Sequence, residues 1–186
     1  MVTRYSSSGL SRGQAFQKRI FDLFFSFFGL LALWWLILIP VIAVRLSTGE
    51  SGIFAQIRVG KHGKPFKVLK IRTMVVTAEG NTKVTVLNDP RITAIGKFLR
   101  RTKIDELPQL INIFLGQMSF VGPRPDVPGF ADLLQGQEKV ILGLAPGITG
   151  PATLKYRLEE ALLADVDDPE KYNREIIYPD KVRLNI

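Results

Sequence analysis

The sequence predicts a mixed α/β fold carried on an N-terminal membrane helix, and three observations predict it. Leu23 to Val44 are 22 consecutive positions without a charge, rich in Leu, Phe, Ile and Trp. Two short runs with strand composition flank a Lys61-His62-Gly63-Lys64 turn, and two later segments carry apolar residues at helical spacing. A chain of 186 residues has room for one domain with appendages, since a core typically needs roughly 100–150 residues to close. The division expected is 1–46 for the N-terminal segment and its membrane helix, and 47–186 for a polar head.

As a helix the apolar block would be about 33 Å long, enough to cross a hydrocarbon core of about 30 Å. It outruns the roughly 7–15 residues of a signal-peptide core, and no small-x-small cleavage site follows it. Arg4, Arg12, Lys18 and Arg19 precede the block, while Arg45, Arg58, Lys61, Lys64, Lys67, Lys70 and Arg72 follow it. Positive flanks are retained on the cytoplasmic side, so a kinked helix that enters and leaves by one face would satisfy both. Pro40 supplies a possible break, nearer the C-terminal end than the middle. On the residues alone, a single pass and a re-entrant helix both stay open.

Past Arg45 the turn-rich Ser47 to Gly52 ends the helix, and Ile53 to Arg58 with Phe66 to Met74 read as a hairpin at the membrane surface. His62 in its turn reads as a solvated loop residue. Residues 77 to 90 are polar and turn-like. From Ile92 to Arg101, the positions Ile92, Ile95, Phe98 and Leu99 form a stripe with Lys97, Arg100 and Arg101 off it, which predicts an amphipathic helix. A second is predicted from about Leu107 to Met118. This second segment could pack on a core or lie in the membrane interface. Gly122-Pro123-Arg124-Pro125 and Pro146 to Pro151 read as rigid turns.

Lys and Arg outnumber Asp and Glu by 25 to 17, a formal net charge of +8, which favours anionic partners: nucleic acid, acidic lipid heads or phosphorylated small molecules. The absence of cysteine and the single histidine exclude disulfides, thiolate metal sites and histidine-dependent triads. Catalysis, if present, must use carboxylates, hydroxyls, Lys or Arg. Asp105 and Glu106 are adjacent and follow Arg100, Arg101 and Lys103. Such a pair is often only a solvated helix end, yet a carboxylate held ionised by Arg and able to share a divalent cation is also what attack on a diphosphate requires. Lys70 and Arg72, two apart on a presumed strand, would share a face and could grip one diphosphate. Arg124, fixed between Pro123 and Pro125, suits bidentate contact with phosphate or a base edge.

The chain resembles the monotopic bacterial phosphoglycosyl transferases, initiating enzymes of glycoconjugate, exopolysaccharide and capsule synthesis. Six blocks carry the resemblance in order: Lys18-Arg19-Ile20-Phe21-Asp22, Phe54 to Gly60, Lys70-Ile71-Arg72-Thr73-Met74, Leu99 to Leu110, Met118 to Pro125, and Pro146 to Gly150. It implies a re-entrant helix, interfacial amphipathic helices and a small catalytic head on the cytoplasmic face of the bacterial inner membrane. It further implies a ping-pong reaction in which Asp105 attacks the β-phosphate of a UDP-sugar, releases UMP and passes the phosphosugar to a polyprenol (undecaprenyl) phosphate. Glu106 would be its partner, Mg²⁺ would bind at Asp105 and the substrate phosphates, Arg100 and Lys70 would neutralise the leaving phosphate, and Pro123-Arg124-Pro125 would recognise the nucleotide. The family usually places Ser-Pro mid-helix, where this chain has Trp34-Trp35, with Pro40 five residues later. Nothing catalytic is transferred onto Pro151 to Ile186. Membrane lipids are expected partners, nucleic acid is not, and self-association stays open. The competing reading is a membrane-anchored basic scaffold without catalysis.

Overall fold

The structure is a computed structural model and describes residues 10–75 and 89–186. Arg4 and all but the end of the polar stretch 77–90 therefore lie outside the described residues. The first element, α1, runs from Arg12 to Thr48. It starts where Ser11 accepts from the Gln14 amide while the Gln14 side chain returns a bond to the Ser11 amide, a reciprocal cap that satisfies two end donors. It stops at Gly49, whose left-handed φ of 74° suits a residue without Cβ. Between these caps α1 passes unbroken through Trp34, Trp35 and Pro40. It is one helix long and apolar enough to cross a membrane.

The inner face of α1 packs against the head along most of its length. Leu30 and Leu33 join a core of Val68, Leu110, Ile113 and Met118. Val41 and Val44 join Ile71, Leu99, Ile95 and Ile104. Directly after the helix, Gly52 lies so close that a Cβ there would sit 2.2 Å from the Val41 carbonyl oxygen. The chain thus doubles back along α1 as soon as it leaves it. The outer face presents Phe24, Phe28, Leu31, Trp34, Leu38 and Ile39 to the surroundings.

The hairpin forms as expected. Strand β1 (Ile53–Val59) pairs antiparallel with β2 (Pro65–Ile71), Phe54 facing Lys70 and Arg58 facing Phe66. The second strand ends at Ile71, and Met74 makes only an isolated bridge to Ile92. Helix α2 (Ala94–Thr102) is capped by the Thr93 hydroxyl. The next helix is shorter than its apolar stripe suggests: α3 spans only Gln109–Phe114. Buried Asn112 explains this, because its carbonyl accepts from Gln117 and Met118 and turns the chain at Gly116. Its side chain meanwhile accepts from the Leu69 amide and donates to the Lys67 carbonyl, fastening α3 to the outer edge of β2.

The two stretches read as turns are flanking parts of a short parallel pair, β3 (Ser119–Val121) with β4 (Gly147–Thr149). Glycine is required here by approach: a Cβ on Gly147 would lie 2.2 Å from the Gly122 nitrogen, and one on Gly122 would lie 2.3 Å from the Ala145 oxygen. The rest is helical: α4 (Pro151–Lys155), α5 (Glu159–Ala164), α6 (Pro169–Tyr172), a π-helical turn at Asn173–Ile177, and α7 (Tyr178–Asn185). Val182 of α7 reaches a third core with Val59, Ala131, Leu134 and Ile141.

Candidate active site

Helix α2 ends at Lys103, a non-glycine residue held at φ 59°, and the chain enters a tight 3-10 turn at Ile104–Glu106. Pro108 follows and starts α3. This sequence of a left-handed cap, a turn and a proline fixes the backbone that carries the two acidic side chains. Asp105 is buried, at 6% exposure, and its Oδ1 has no hydrogen-bond partner among the described residues. Burial pushes its pKa up, with Lys70 pulling the other way, Glu106 adding to the rise, and Arg100 and Lys103 opposing it. Loss of water around Asp105 works against the neighbouring cations, and Arg100, which favours the charged carboxylate, also donates from its Nε to Thr73 Oγ1 at 3.1 Å.

The balance at Glu106 runs the other way. Burial also disfavours its charge, but Lys70 and Arg124 overcome this and hold it down at about 2. Lys70 Nζ donates to Glu106 Oε1 at 2.9 Å, and Arg124 Nη2 lies 3.8 Å from the same oxygen. Burial keeps Lys70 below its ordinary value despite Glu106. The adjacent acids therefore occupy different environments, one paired with cations and one with an oxygen that has no partner among the described residues.

Lys70 and Arg72 do line one cleft. Only Lys70 reaches the acidic pair, whereas Arg72 donates to the Ser51 carbonyl at 2.7 Å and lies 5.6 Å from the Phe54 ring centre. Arg124 is aimed by β3 and β4: Gly122 donates to Thr149, Gly147 donates to the Pro123 carbonyl, and Arg58 donates to the Pro125 carbonyl. The conjunction of Pro123, Arg124 and Pro125 beside Glu106 brings two distant motifs together. Burial lowers Arg58 to about 10, with Arg124 lowering it further and Asp126 and Glu106 opposing.

The block Lys18 to Asp22 turns out to be a latch. Buried Asp22 accepts from Ser119 Oγ and the Phe120 amide, both at 3.1 Å. Lys18 donates to Ser119 Oγ and to the Val121 carbonyl, while Arg19 donates to the Ile113 and Phe114 carbonyls at 2.7 Å each. The polar end of α1 thereby holds β3, and β3 leads directly into the Arg124 turn.

The cleft has a volume of about 780 Å³ and is lined, among the described residues, by nine Lys and Arg side chains against three carboxylates, Asp105, Asp126 and Glu159. Its far wall comes from the tail: Thr153, Tyr156, Arg157, Tyr178 and Lys181. Sequence reasoning gave these no role. Their only signal was position after Gly150, because helices this short carry no readable period. No group of three or more His, Asp or Glu suited to hold a metal occurs among the described residues. A magnesium ion needs no such group, since it is commonly held by one or two carboxylates plus substrate phosphates, and the partnerless Asp105 Oδ1 is an oxygen donor of that type.

Known proteins resemble this chain over most of its length. A Bacillus subtilis (strain 168) protein with the provisional name undecaprenyl-phosphate N-acetylgalactosaminyl 1-phosphate transferase is 42% identical over 148 residues, covering 76% of this chain and 79% of the relative. A UDP-glucose:undecaprenyl-phosphate glucose-1-phosphate transferase of Klebsiella pneumoniae is 39% identical over 170 residues, 87% of this chain and 34% of the relative. Its Escherichia coli (strain K12) namesake is 42% identical over 146 residues, 73% of this chain and 30% of the relative. The chain thus spans about a third of these last two. A family model described as bacterial sugar transferase matches residues 13–185, nearly the whole length, and the chain belongs to that family.

Proposed function

We propose that the chain moves a sugar 1-phosphate from a UDP-sugar to undecaprenyl phosphate through an aspartyl-phosphosugar intermediate. One observation carries this reading: a buried carboxylate oxygen of Asp105 has no partner among the described residues, and Asp105 lines a cation-rich cleft. In the first step an Asp105 oxygen bonds to the β-phosphorus, the bond from that phosphorus to the bridging oxygen breaks, and UMP departs with the electron pair. In the second an oxygen of the lipid phosphate attacks the same phosphorus, a diphosphate-linked lipid sugar forms, and the carboxylate is restored. The relatives' names, which pair undecaprenyl phosphate with sugar 1-phosphates, support this chemistry.

Asp105 must be ionised to attack, and Lys70, Arg100 and Lys103 favour that state against burial. Magnesium held at Asp105 and the substrate phosphates would add positive charge there and stabilise the anionic phosphates. Glu106 keeps Lys70 and Arg124 together at one oxygen, so the two cations face the cleft as a unit to receive the diphosphate, with Arg72 and Arg100 further along. Arg124 in its proline-framed turn would contact the nucleotide. A basic scaffold would give no reason for a carboxylate buried without a partner.

Attachment follows from the same geometry. The head packs against α1 from Lys18 to Val44, which leaves a straight crossing no room to clear the head. In this reading both ends of α1 lie at the cytoplasmic face of the bacterial membrane and its exposed apolar face lies in lipid, which the basic flanks support. Asp105→Asn is expected to abolish UMP release from UDP-sugar and undecaprenyl phosphate while the protein still fractionates with membranes. Intact-mass analysis of the parent with magnesium and donor should show one phosphosugar adduct at Asp105. A fully active variant would overturn the assignment.

A further inference from the structure

Among the described residues, the buried side-chain oxygens without a partner besides Asp105 Oδ1 are Thr153 Oγ1 and Tyr178 Oη, and both residues line the same cleft. They come from two tail helices that pack together, α4 and α7, joined by Lys155 and Tyr156 bonding to Asp180. Lys181, one turn beyond Tyr178, is fixed by two 2.7 Å bonds to Glu159. Asp126, two residues past Arg124, completes this wall of the cleft.

An unpaired buried hydroxyl is costly unless something supplies a partner. At about 780 Å³ the cleft falls in the range of roughly 300–1,000 Å³ that encloses a whole drug-sized ligand, far more than a diphosphate needs. The strongly cationic side near Lys70, Arg100 and Arg124 suits phosphates. The tail side also carries Arg157 and a Lys181 paired with Glu159, but it adds neutral hydroxyls and a carboxylate.

From this we infer that Thr153 and Tyr178, with Asp126, form the subsite that holds the sugar ring of the donor and so set which sugar is transferred. A hexose offers hydroxyls that each donate and accept, and protein hydroxyls can answer in either sense while a carboxylate takes neighbouring donors. A uracil would instead need a flat slot, and the Tyr178 ring is already engaged edge-on by Phe130 at 5.0 Å. Rotation about the Cα–Cβ bond turns the Thr153 hydroxyl toward the cleft without moving the helix.

The inference rests on the phosphosugar-transfer reading, and one experiment separates the two. Thr153→Val and Tyr178→Phe delete the hydroxyls while keeping shape, and UMP release is measured across UDP-glucose, UDP-galactose and their N-acetylated counterparts. Losing a hydrogen bond to substrate is expected to lower kcat/KM about three- to tenfold for the parent's best donor and less for the others. The thermal midpoint should hold or rise, since an unpartnered hydroxyl contributes nothing to the fold, and inhibition by UMP should not change. Equal scaling across all donors would overturn the sugar subsite, as would weakened UMP inhibition, which would assign the hydroxyls to the nucleoside, or a clear fall in the midpoint, which would make them structural. A parent chain that releases no UMP from any donor would instead overturn the functional reading beneath it.

Discussion

Asp126→Asn offers a quantitative test of how this cleft is held together. Burial raises the Asp126 pKa to about 6, although Lys181, Arg58 and Arg124 all pull it down. Those attractions are already counted in that balance, so the ionised side chain still disfavours the folded state. The native protein binds a proton more readily than the unfolded chain, whose carboxylate titrates near 3.8. Stability therefore falls as pH rises from about 4 to about 6 and is level above that. A shift of about 2 units corresponds to about 3 kcal/mol, and solvent at this half-buried position reduces that to about 1–2 kcal/mol. Asparagine keeps the shape and removes the charge. At pH 8 the variant should unfold about 2–8 °C higher than the parent, for a chain of this size, and at pH 3.5 the two should coincide. The assay is thermal unfolding of the full chain in detergent micelles at both values. A midpoint difference that is the same at pH 3.5 and pH 8, or a variant less stable at pH 8, would refute the reasoning.

Three further outcomes are expected. Asp22→Ala leaves the Phe120 amide and the Ser119 hydroxyl without their acceptor, at about 1–3 kcal/mol each, so the thermal midpoint should drop by several degrees and KM for donor should rise, both read on the purified chain. Gly147→Ala places a methyl 2.2 Å from the Gly122 nitrogen; the parallel pair must open, and limited proteolysis should cut near Arg124 while activity is lost. Because the sequence contains no cysteine, Gly13→Cys and Glu50→Cys give clean single labels at the two ends of α1, and an impermeant maleimide should reach both from the cytoplasmic side of oriented vesicles. Labelling from opposite sides would establish a crossing.

What could be read from the residues divides by the range of the interactions involved. The apolar block, the hairpin and α2 were legible because each is specified by local pattern: hydrophobic length, alternation around a turn, a capped amphipathic stripe. The stripe at Leu107 to Met118 overran because Asn112 diverts the backbone toward β2, a contact between residues 45 apart that no period encodes. Strands β3 and β4 stayed hidden for a related reason, as glycines and prolines there serve close backbone approach instead of strand propensity. In the site, motif resemblance assigned Lys70, Glu106 and Arg124 to one active site without foreseeing that Glu106 pairs with both cations. The burial of Asp105, the diversion of Arg72 to Ser51 and the wall built by Thr153 and Tyr178 were not foreseen either, since each is decided by how elements stack.

The latch between α1 and β3 also dictates an order of events during biosynthesis. Asp22 and Lys18 emerge from the ribosome about 100 residues ahead of Ser119, a lag of roughly 5–20 s at typical translation rates. Throughout that interval an unpartnered acid and base sit at the mouth of a greasy segment, where deep immersion of charge is penalised. The latch can therefore close only after Ser119 has been made, and until then neither group has its partner on β3.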